Sequence, residues 1–172
     1  MNLIDVSYLD RVNSTNDFSI DLIKKNISIY GVVISDMQIN GRGKHGNKWI
    51  SKKGNIFCSI YKRVKRYRCI LDAQYKSLKI VKEYLEKIGI QRNIIRIKHP
   101  NDILINNKKV CGILTESIEI KKKLYLVVGI GLNLTCSPRI EYYKTTFLKK
   151  YLTKNTDKFS FVNYVKQNIN YF

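Results

Sequence analysis

The sequence predicts an α+β domain, with a mixed, largely antiparallel sheet and helices on one side. Strand-like segments follow one another in hairpin-like succession in the second half of the chain, and segments with an apolar repeat of helical period separate the earlier strands. With 172 residues, 44% of them hydrophobic, the chain is long enough for one core. No internal repeat or low-complexity segment is visible. We therefore expect a single domain over residues 1–172.

The first elements are a helix and two strands. Ser14 and Thr15 are candidate helix caps, and apolar residues follow them at helical spacing as far as Ile23. Residues 27–37 are rich in β-branched side chains and predict a strand, and residues 54–64 alternate as a second strand would. A glycine-rich loop therefore joins two strands.

The longest predicted helix contains Leu71, Leu78 and Leu85 at helical intervals and ends near Gly89, a residue type favoured after helix C-termini. Short strand-like runs follow at 94–98, 102–105, 110–118 and 124–134. The last part of the chain, from Ile140, is basic and is predicted to be helical.

The chain is strongly basic, with 32 Lys and Arg residues against 13 Asp and Glu residues and a net charge of +19. Such a charge suits a nucleic acid, an acidic protein or a phosphate-rich substrate. Lysine, asparagine and isoleucine are abundant throughout, however, so most lysines are interpreted as solvated surface. No zinc-finger spacing, basic zipper or RNA-binding aromatic signature accompanies the charge. The hypothesis of a nucleic-acid-binding module therefore depends on charge alone, and it stays an alternative.

Cysteine usage and hydropathy predict a cytoplasmic protein. The four cysteines form no CxxC pair and are interpreted as reduced thiols rather than metal ligands. The N-terminus lacks the positive charge of an export signal. The longest apolar run, residues 124–134, is shorter than the roughly 20 residues that a membrane helix needs. We expect no membrane association.

The loop QINGRGKHGNKW begins at Gln38 and ends at the only tryptophan. Its three glycines free the backbone for positive φ and let amide groups approach an anion. Arg42 and Lys44 would add side-chain charge. Taken alone, the pattern also fits an ordinary surface hairpin.

The segment KHPND breaks a predicted strand at Pro100, so that Asn101 and Asp102 can turn into a cleft. Lys98 and Lys109 flank it. The alternative is an Asn-Asp turn between surface lysines. Asn133 similarly interrupts the apolar run GIGLNL, and such a buried amide would need either a ligand or a core hydrogen bond.

Five segments in this order resemble the successive signatures of the biotin-protein ligases: STND, QINGRGKHGNKW, KHPNDI, KKVCGILTE and GIGLNL. The resemblance implies a fold like the catalytic domain of class II aminoacyl-tRNA synthetases and lipoate ligases. It also implies that biotin and ATP, with Mg²⁺ carried on ATP, form biotinyl-AMP. A lysine of a biotin carboxyl carrier protein domain of a carboxylase would then receive the biotinyl group. The implied partners are this carrier and, since relatives often dimerise, a second copy of the chain, with no DNA and no membrane.

The resemblance assigns roles to individual positions. The implied substrate-binding residues are Ser14, Thr15, Asn16, Gln38, Gly41, Arg42, Gly43, Lys44, Trp49, Lys109, Gly112 and Asn133. The implied catalytic residues are Arg42, Lys98, Asp102 and Lys109. The first four binding residues would contact the ureido ring of biotin, and Asn133 the adenine edge. Asp102 would position or deprotonate the acceptor amine.

The implied chemistry fits these residue types. A carboxylate must attack a phosphate, and two unit charges about 4 Å apart repel by about 4 kcal/mol at an effective dielectric constant of about 20. Cations and Mg²⁺ would offset that repulsion. A glycine-rich loop that closes over the mixed anhydride would exclude water.

The sequence also departs from the family pattern. Lys44, His45 and Asn47 stand where the family usually has arginines, and His99 stands where it usually has tryptophan. Relatives often carry an N-terminal DNA-binding domain and a C-terminal β-barrel, and we expect neither here. A lipoate or other acyl-protein ligase on the same fold and an inactive ligase are the further alternatives.

Overall fold

The computed structural model describes residues 4–152 and 156–168. They form seven strands: β1 (Asp5–Leu9), β2 (Tyr30–Ser35), β3 (Ile56–Val64), β4 (Ile95–Lys98), β5 (Asp102–Ile105), β6 (Lys108–Ile120) and β7 (Lys123–Leu132). They also form three α-helices: α1 (Thr15–Lys24), α2 (Arg68–Lys87) and α3 (Lys158–Asn168).

All seven strands belong to one sheet in the order β1-β2-β3-β7-β6-β5-β4. β1 and β2 are parallel and are joined through α1, whereas every other neighbouring pair is antiparallel. The prediction of a mixed, largely antiparallel sheet is therefore confirmed. In the central β6–β7 pair, Gly112 lies opposite Gly131.

The two faces of the sheet are covered by different helices, because successive strand residues point to opposite faces. Val32 and Ile34 of β2 belong to the main core, into which α2 and α3 pack. Val33, between them, belongs to a smaller cluster with Ile23 of α1. α2 and α3 thus share one face and α1 covers the other, so the expectation of helices on one side holds for α2 and α3 and is wrong for α1.

Both helix ends that the sequence indicated have the expected geometry. Ser14 caps α1, and its Oγ accepts a hydrogen bond from the backbone N–H of Asp17 at 3.4 Å. Gly89 follows α2 with φ of 99°, which a residue without a Cβ adopts readily. The β4–β5–β6 turns likewise fall at the predicted breaks.

One strand was not predicted, and the helical prediction for the last part of the chain needs correction. β1 was not predicted, because its short polar-apolar alternation resembles a loop and it lies at the sheet edge. The chain from Ile140 to Thr146 is irregular rather than helical, with bends at 141–143 and an isolated bridge at Thr145. The later helical prediction holds for α3, and its parts at 153–155 and 169–172 lie outside the described residues. Leu71 lies in α2 as predicted, and its side chain is exposed.

All four cysteines are free, and they fall into two environments. Cys58 and Cys111 are buried, whereas Cys69 and Cys136 are partly exposed. Burial raises the pKa of Cys58 to about 12 and also raises the pKa of Cys111. No helix among the described residues is long and apolar enough to cross a membrane.

This difference predicts thiol reactivity. At about pH 8, Ellman's reagent should modify Cys69 and Cys136 quickly in the folded protein and reach Cys58 and Cys111 after unfolding, because the thiolate is the reactive form. Absorbance of the released thiolate counts the reacted groups. Rapid reaction of all four thiols without denaturant would contradict the buried assignment.

Candidate active site

A cavity of about 530 Å³ opens at one end of the sheet. Its volume lies within the roughly 300 to 1,000 Å³ typical of small-molecule sites. The first turn of α1, the β2–β3 loop, the turn before β5, and strands β6 and β7 all contribute to its walls. Of the residues that the sequence pointed to, it gathers Ser14, Thr15, Asn16, Gln38, Arg42, Gly43, Lys44, Trp49, Asp102, Lys109 and Gly112.

One end of the cavity is lined by a network of amides and hydroxyls. Gln38 Oε1 accepts hydrogen bonds from the backbone N–H and the hydroxyl of Thr15, at 2.9 and 3.1 Å. The buried Ser59 hydroxyl donates to Asn16 Oδ1 at 2.6 Å, and Asn16 Nδ2 donates to Glu116 Oε2, also at 2.6 Å. These bonds fix the orientation of each polar group before a ligand arrives.

Glycines shape the cavity floor. Gly112 and Gly131, which face each other across β6 and β7, lie beneath the ring of Trp49. A Cβ on Gly112 would stand 2.7 Å from the Trp49 ring, and one on Gly131 would also collide with it. Gly129 leaves space for the Asn16 amide in the same way. Because these three glycines have no side chains, the Trp49 ring and the Asn16 amide can pack directly against the two strands.

Lys109 is the most closely surrounded cation of the cavity. Its Nζ lies 2.8 Å from Asp102 Oδ1, and the two side chains are only 15% and 18% exposed. The same Nζ lies 5.4 Å from the centroid of the Trp49 ring and 5.3 Å from that of Tyr143. Tyr143 is held there because the adjoining segment pairs with β6: Lys109 N–H donates to Lys144 O at 2.9 Å. An incoming anion would compete with Asp102 for this ammonium group.

Arg42 ties the glycine-rich loop to the cavity wall. Its guanidinium forms a two-pronged pair with Glu116, at 2.7 and 2.8 Å, and a further bond to Asp17 at 2.7 Å. The hydrogen bond that Arg42 donates to the Glu116 carboxylate is the main cause that raises the pKa of Arg42. Lys44 has no ion-pair partner among the described residues and remains available to an anion.

The three loop glycines serve different purposes. Gly46 has φ of 76°, in the left-handed region, and His45 before it has φ of 56°. Gly41 instead allows close approach, because a Cβ there would stand 2.6 Å from Trp49 O. Of Gly41, Gly43 and Gly46, only Gly46 uses the positive φ that glycine permits.

Three predicted residues do not line the main cavity. Lys98 is exposed at the end of β4, opposite Asp102 in the strand register. Gly41 is buried against the backbone of Trp49 and does not face the cavity. Asn133 is buried and lines a small adjoining cavity with Trp49. Its Nδ2 donates to Thr146 O at 3.0 Å, which is the core hydrogen bond considered above. Its Oδ1 and the Trp49 Nε1 are buried without a partner among the described residues.

Sequence reasoning did not assign several residues of this site. Glu116, Gly129 and Gly131 lie within KKVCGILTE and GIGLNL, two of the segments that resemble the family. A polar residue or a glycine at the end of an apolar run could have marked them as site residues. Ser59 and Tyr143 carried no such signal, because strand pairing alone brings them to the cavity. Within residues 4–152 and 156–168, no three His, Cys, Asp or Glu side chains group together as a metal site.

Comparisons with known proteins agree with this geometry. The sequence profile of the Biotin/lipoate A/B protein ligase family matches residues 8–133. Biotin–protein ligase 2 of Arabidopsis thaliana is 36% identical over 121 residues, which are 66% of this chain and 37% of that protein. The bifunctional ligase/repressor BirA of Bacillus subtilis is 33% identical over 135 residues, 76% of this chain and 41% of that protein. The chain thus spans about two fifths of the length of these curated relatives.

Solved structures support the same fold. The biotin protein ligase of Leishmania major in complex with biotin superimposes with a TM-score of 0.82 at 21% identity, covering 95% of this chain and 72% of that one. The Aquifex aeolicus biotin protein ligase in complex with biotin and ATP gives 0.72 at 27% identity, covering 98% of this chain and 69% of that one. The fold is therefore the expected class II synthetase-like one. Because the family profile covers well over half of the residues, the chain belongs to the biotin/lipoate A/B protein ligase family.

Proposed function

We propose that this protein attaches biotin to a lysine of a biotin carboxyl carrier protein domain, with ATP as the second substrate and biotinyl-AMP as the intermediate. The observation that carries the proposal is the cavity itself. It joins an end of fixed amides and hydroxyls to an end with cations and an aromatic ring. The membership of the family and the named activities of the similar proteins support the same reading.

The polar end favours biotin over lipoate. A ureido ring presents one acceptor and two donors, which the groups around Thr15, Asn16 and Gln38 can match. The dithiolane ring of lipoate has no comparable donors or acceptors, so it would leave the buried polar groups without ligand bonds.

In the first step, a biotin carboxylate oxygen bonds to the α-phosphorus of ATP as the bond to pyrophosphate breaks. Lys109 and Lys44 are placed to offset the repulsion between these two anions, together with Mg²⁺ bound to ATP. Arg42 would join them if the arriving anion displaced Glu116 from its guanidinium. The unpartnered Trp49 Nε1 and Asn133 Oδ1 offer hydrogen bonds at the nucleotide end.

In the second step, the acceptor amine attacks the acyl carbon, AMP leaves, and the amine must lose a proton. An unperturbed lysine has a pKa of about 10.4 and is protonated at neutral pH, so a nearby base assists the removal of its proton. We assign that role to Asp102. When the substrate anion draws Lys109 away, the carboxylate becomes free to accept the proton. The four free thiols suit a reducing compartment, and we place the reaction in the cytoplasm.

Biotin-dependent exchange of pyrophosphate into ATP tests the first step, with lipoate in parallel. Transfer to the purified carrier domain, followed by mass spectrometry of its lysine, tests the second. Exchange with lipoate alone would instead favour a lipoate ligase. If neither acid supports exchange or binds in calorimetry, the chain is not an active ligase of this kind.

Closure of the loop over the intermediate gives a separate expectation. Trypsin should cut the free protein within residues 41–48, after Arg42, Lys44 or Lys48, and biotin with Mg-ATP should suppress those cuts, because ligand binding holds the loop closed. The β6–β7 turn at Lys121 and Lys122 provides an internal control that should be cut equally in both states. Equal cutting of the loop with and without substrates would rule out its role as a lid.

A further inference from the structure

The first two turns of α2 and the residue before them carry an exposed apolar stripe. Tyr67, Leu71 and Tyr75 are 62%, 76% and 59% exposed. They are spaced by four residues, so their side chains lie one above another on one face of the helix. Leu78 and Leu85, seven and fourteen residues after Leu71, continue the same face and are buried in the core, so the stripe is the uncovered N-terminal part of that face. Three large apolar side chains in line are more than the scattered single residues that an ordinary surface presents.

This α2 stripe, defined as Tyr67, Leu71 and Tyr75, reaches the mouth of the active-site cavity. The ring of Tyr75 stacks on His99, with centroids 6.2 Å apart and planes inclined by 5°. The next residues along the chain from His99, namely Pro100, Asn101 and Asp102, line the cavity. The stripe is thus continuous with the turn that carries the proposed base. At its other end, Tyr67 donates a hydrogen bond to Glu119 of β6 at 2.9 Å.

The surroundings of the α2 stripe are basic. Its exposed cations are Lys65, Arg66, Arg68, Lys76 and Lys98, against the exposed acids Asp72 and Glu119. Among the described residues, none of these five cations has an acidic side chain within salt-bridge distance. A partner with acidic side chains around an apolar centre would satisfy both the stripe and its rim.

We propose that the α2 stripe is the surface on which the carrier domain docks while its lysine enters the cavity. The inference rests on the proposed function, because that reaction requires a folded protein to bring an amine to Asp102. The stripe contacts His99, the residue before the turn that carries Asp102, so a carrier seated on the stripe lies beside that turn. The basic rim would attract a carrier whose docking face is acidic, and the apolar stripe would supply the contact area.

The test uses Leu71→Asp, with Ile27→Asp as the matched control. Leu71 is the fourth residue of α2, where a carboxylate is compatible with the helix dipole. Ile27 is 67% exposed and precedes the start of β2, the end of that strand away from Gln38. The acceptor is the biotin carboxyl carrier domain of an acetyl-CoA carboxylase, and hydroxylamine serves as a small acceptor that needs no docking surface.

With Leu71→Asp, kcat/KM for the carrier domain should fall by about tenfold or more, as for a central interface residue. Biotin-dependent pyrophosphate exchange and transfer to hydroxylamine should stay unchanged, and Ile27→Asp should leave all three rates unchanged. An unchanged kcat/KM for the carrier would overturn the docking assignment alone. If light scattering then shows that Leu71→Asp separates a dimer into monomers, the stripe joins two copies of this chain instead. Absence of exchange in the wild-type protein would overturn the proposed function, and the docking surface with it.

Discussion

Replacing Lys109 by alanine is expected to slow the formation of biotinyl-AMP by a hundredfold or more. The loss corresponds to about 2.7 to 4 kcal/mol, the effect typical of removing a fixed group from a site of developing negative charge. Lys109 is suited to such a role because Asp102 and the rings of Trp49 and Tyr143 hold its ammonium group at the cavity wall. Biotin-dependent pyrophosphate exchange measures this step alone.

Lys108→Ala is the matched control for that experiment. Lys108 is the preceding residue of β6, so its side chain points to the other face of the sheet, and it does not line the main cavity. It should keep the wild-type exchange rate. A similar fall in both variants would indicate a general effect of positive charge rather than a role of the Lys109 ammonium group.

Replacing Asp102 by asparagine is expected to impair the second step more than the first, by a factor of about 10² to 10⁴. Asparagine keeps the shape of the side chain but cannot accept the proton of the acceptor amine. Pyrophosphate exchange follows the first step, and transfer from synthetic biotinyl-AMP to the carrier lysine follows the second. The two rates can be compared directly in the same preparation.

The ion pair with Lys109 requires a stability control for this variant. Both side chains are largely buried, so loss of the carboxylate leaves the ammonium group without its counter-charge. Thermal unfolding with and without biotin shows what fraction of either variant is folded at the assay temperature. If Asp102→Asn abolished exchange while transfer from supplied biotinyl-AMP stayed normal, Asp102 would belong to the nucleotide site instead.

The sequence predicted much of the sheet because strand signals are local. Residues 54–64 alternate over the length of β3, and the capping residue and apolar repeat locate α1 within one or two residues. β1 was not predicted, because a short edge strand has few buried positions and therefore little apolar alternation in its sequence. Leu71 fits the apolar period of α2, but the period does not show where the covering sheet stops, and the sheet does not reach Leu71.

Site residues could be predicted where the chemically active side chains lie within one short segment. They could not be predicted where segments far apart in the sequence come together. Glycines, cations and amides in the β2–β3 loop and the α1 N-terminus indicated a ligand directly. The pairing of Arg42 with Glu116 joins residues 74 positions apart, and no local pattern encodes that contact. The place of Tyr143 depends on how residues 144–146 pair with β6, which is a property of the folded sheet.

The glycine floor beneath Trp49 has an optical consequence. Trp49 is the only tryptophan of the chain, so its emission has a single source. The ring rests on the Gly112–Gly131 pair, and a slip of one residue between β6 and β7 would bring a larger side chain beneath it. Nucleotide entering beside its buried N–H would change the polarity around the indole. One natural fluorophore therefore reports both ligand occupancy at equilibrium and the integrity of the central strand pair during unfolding, without any label.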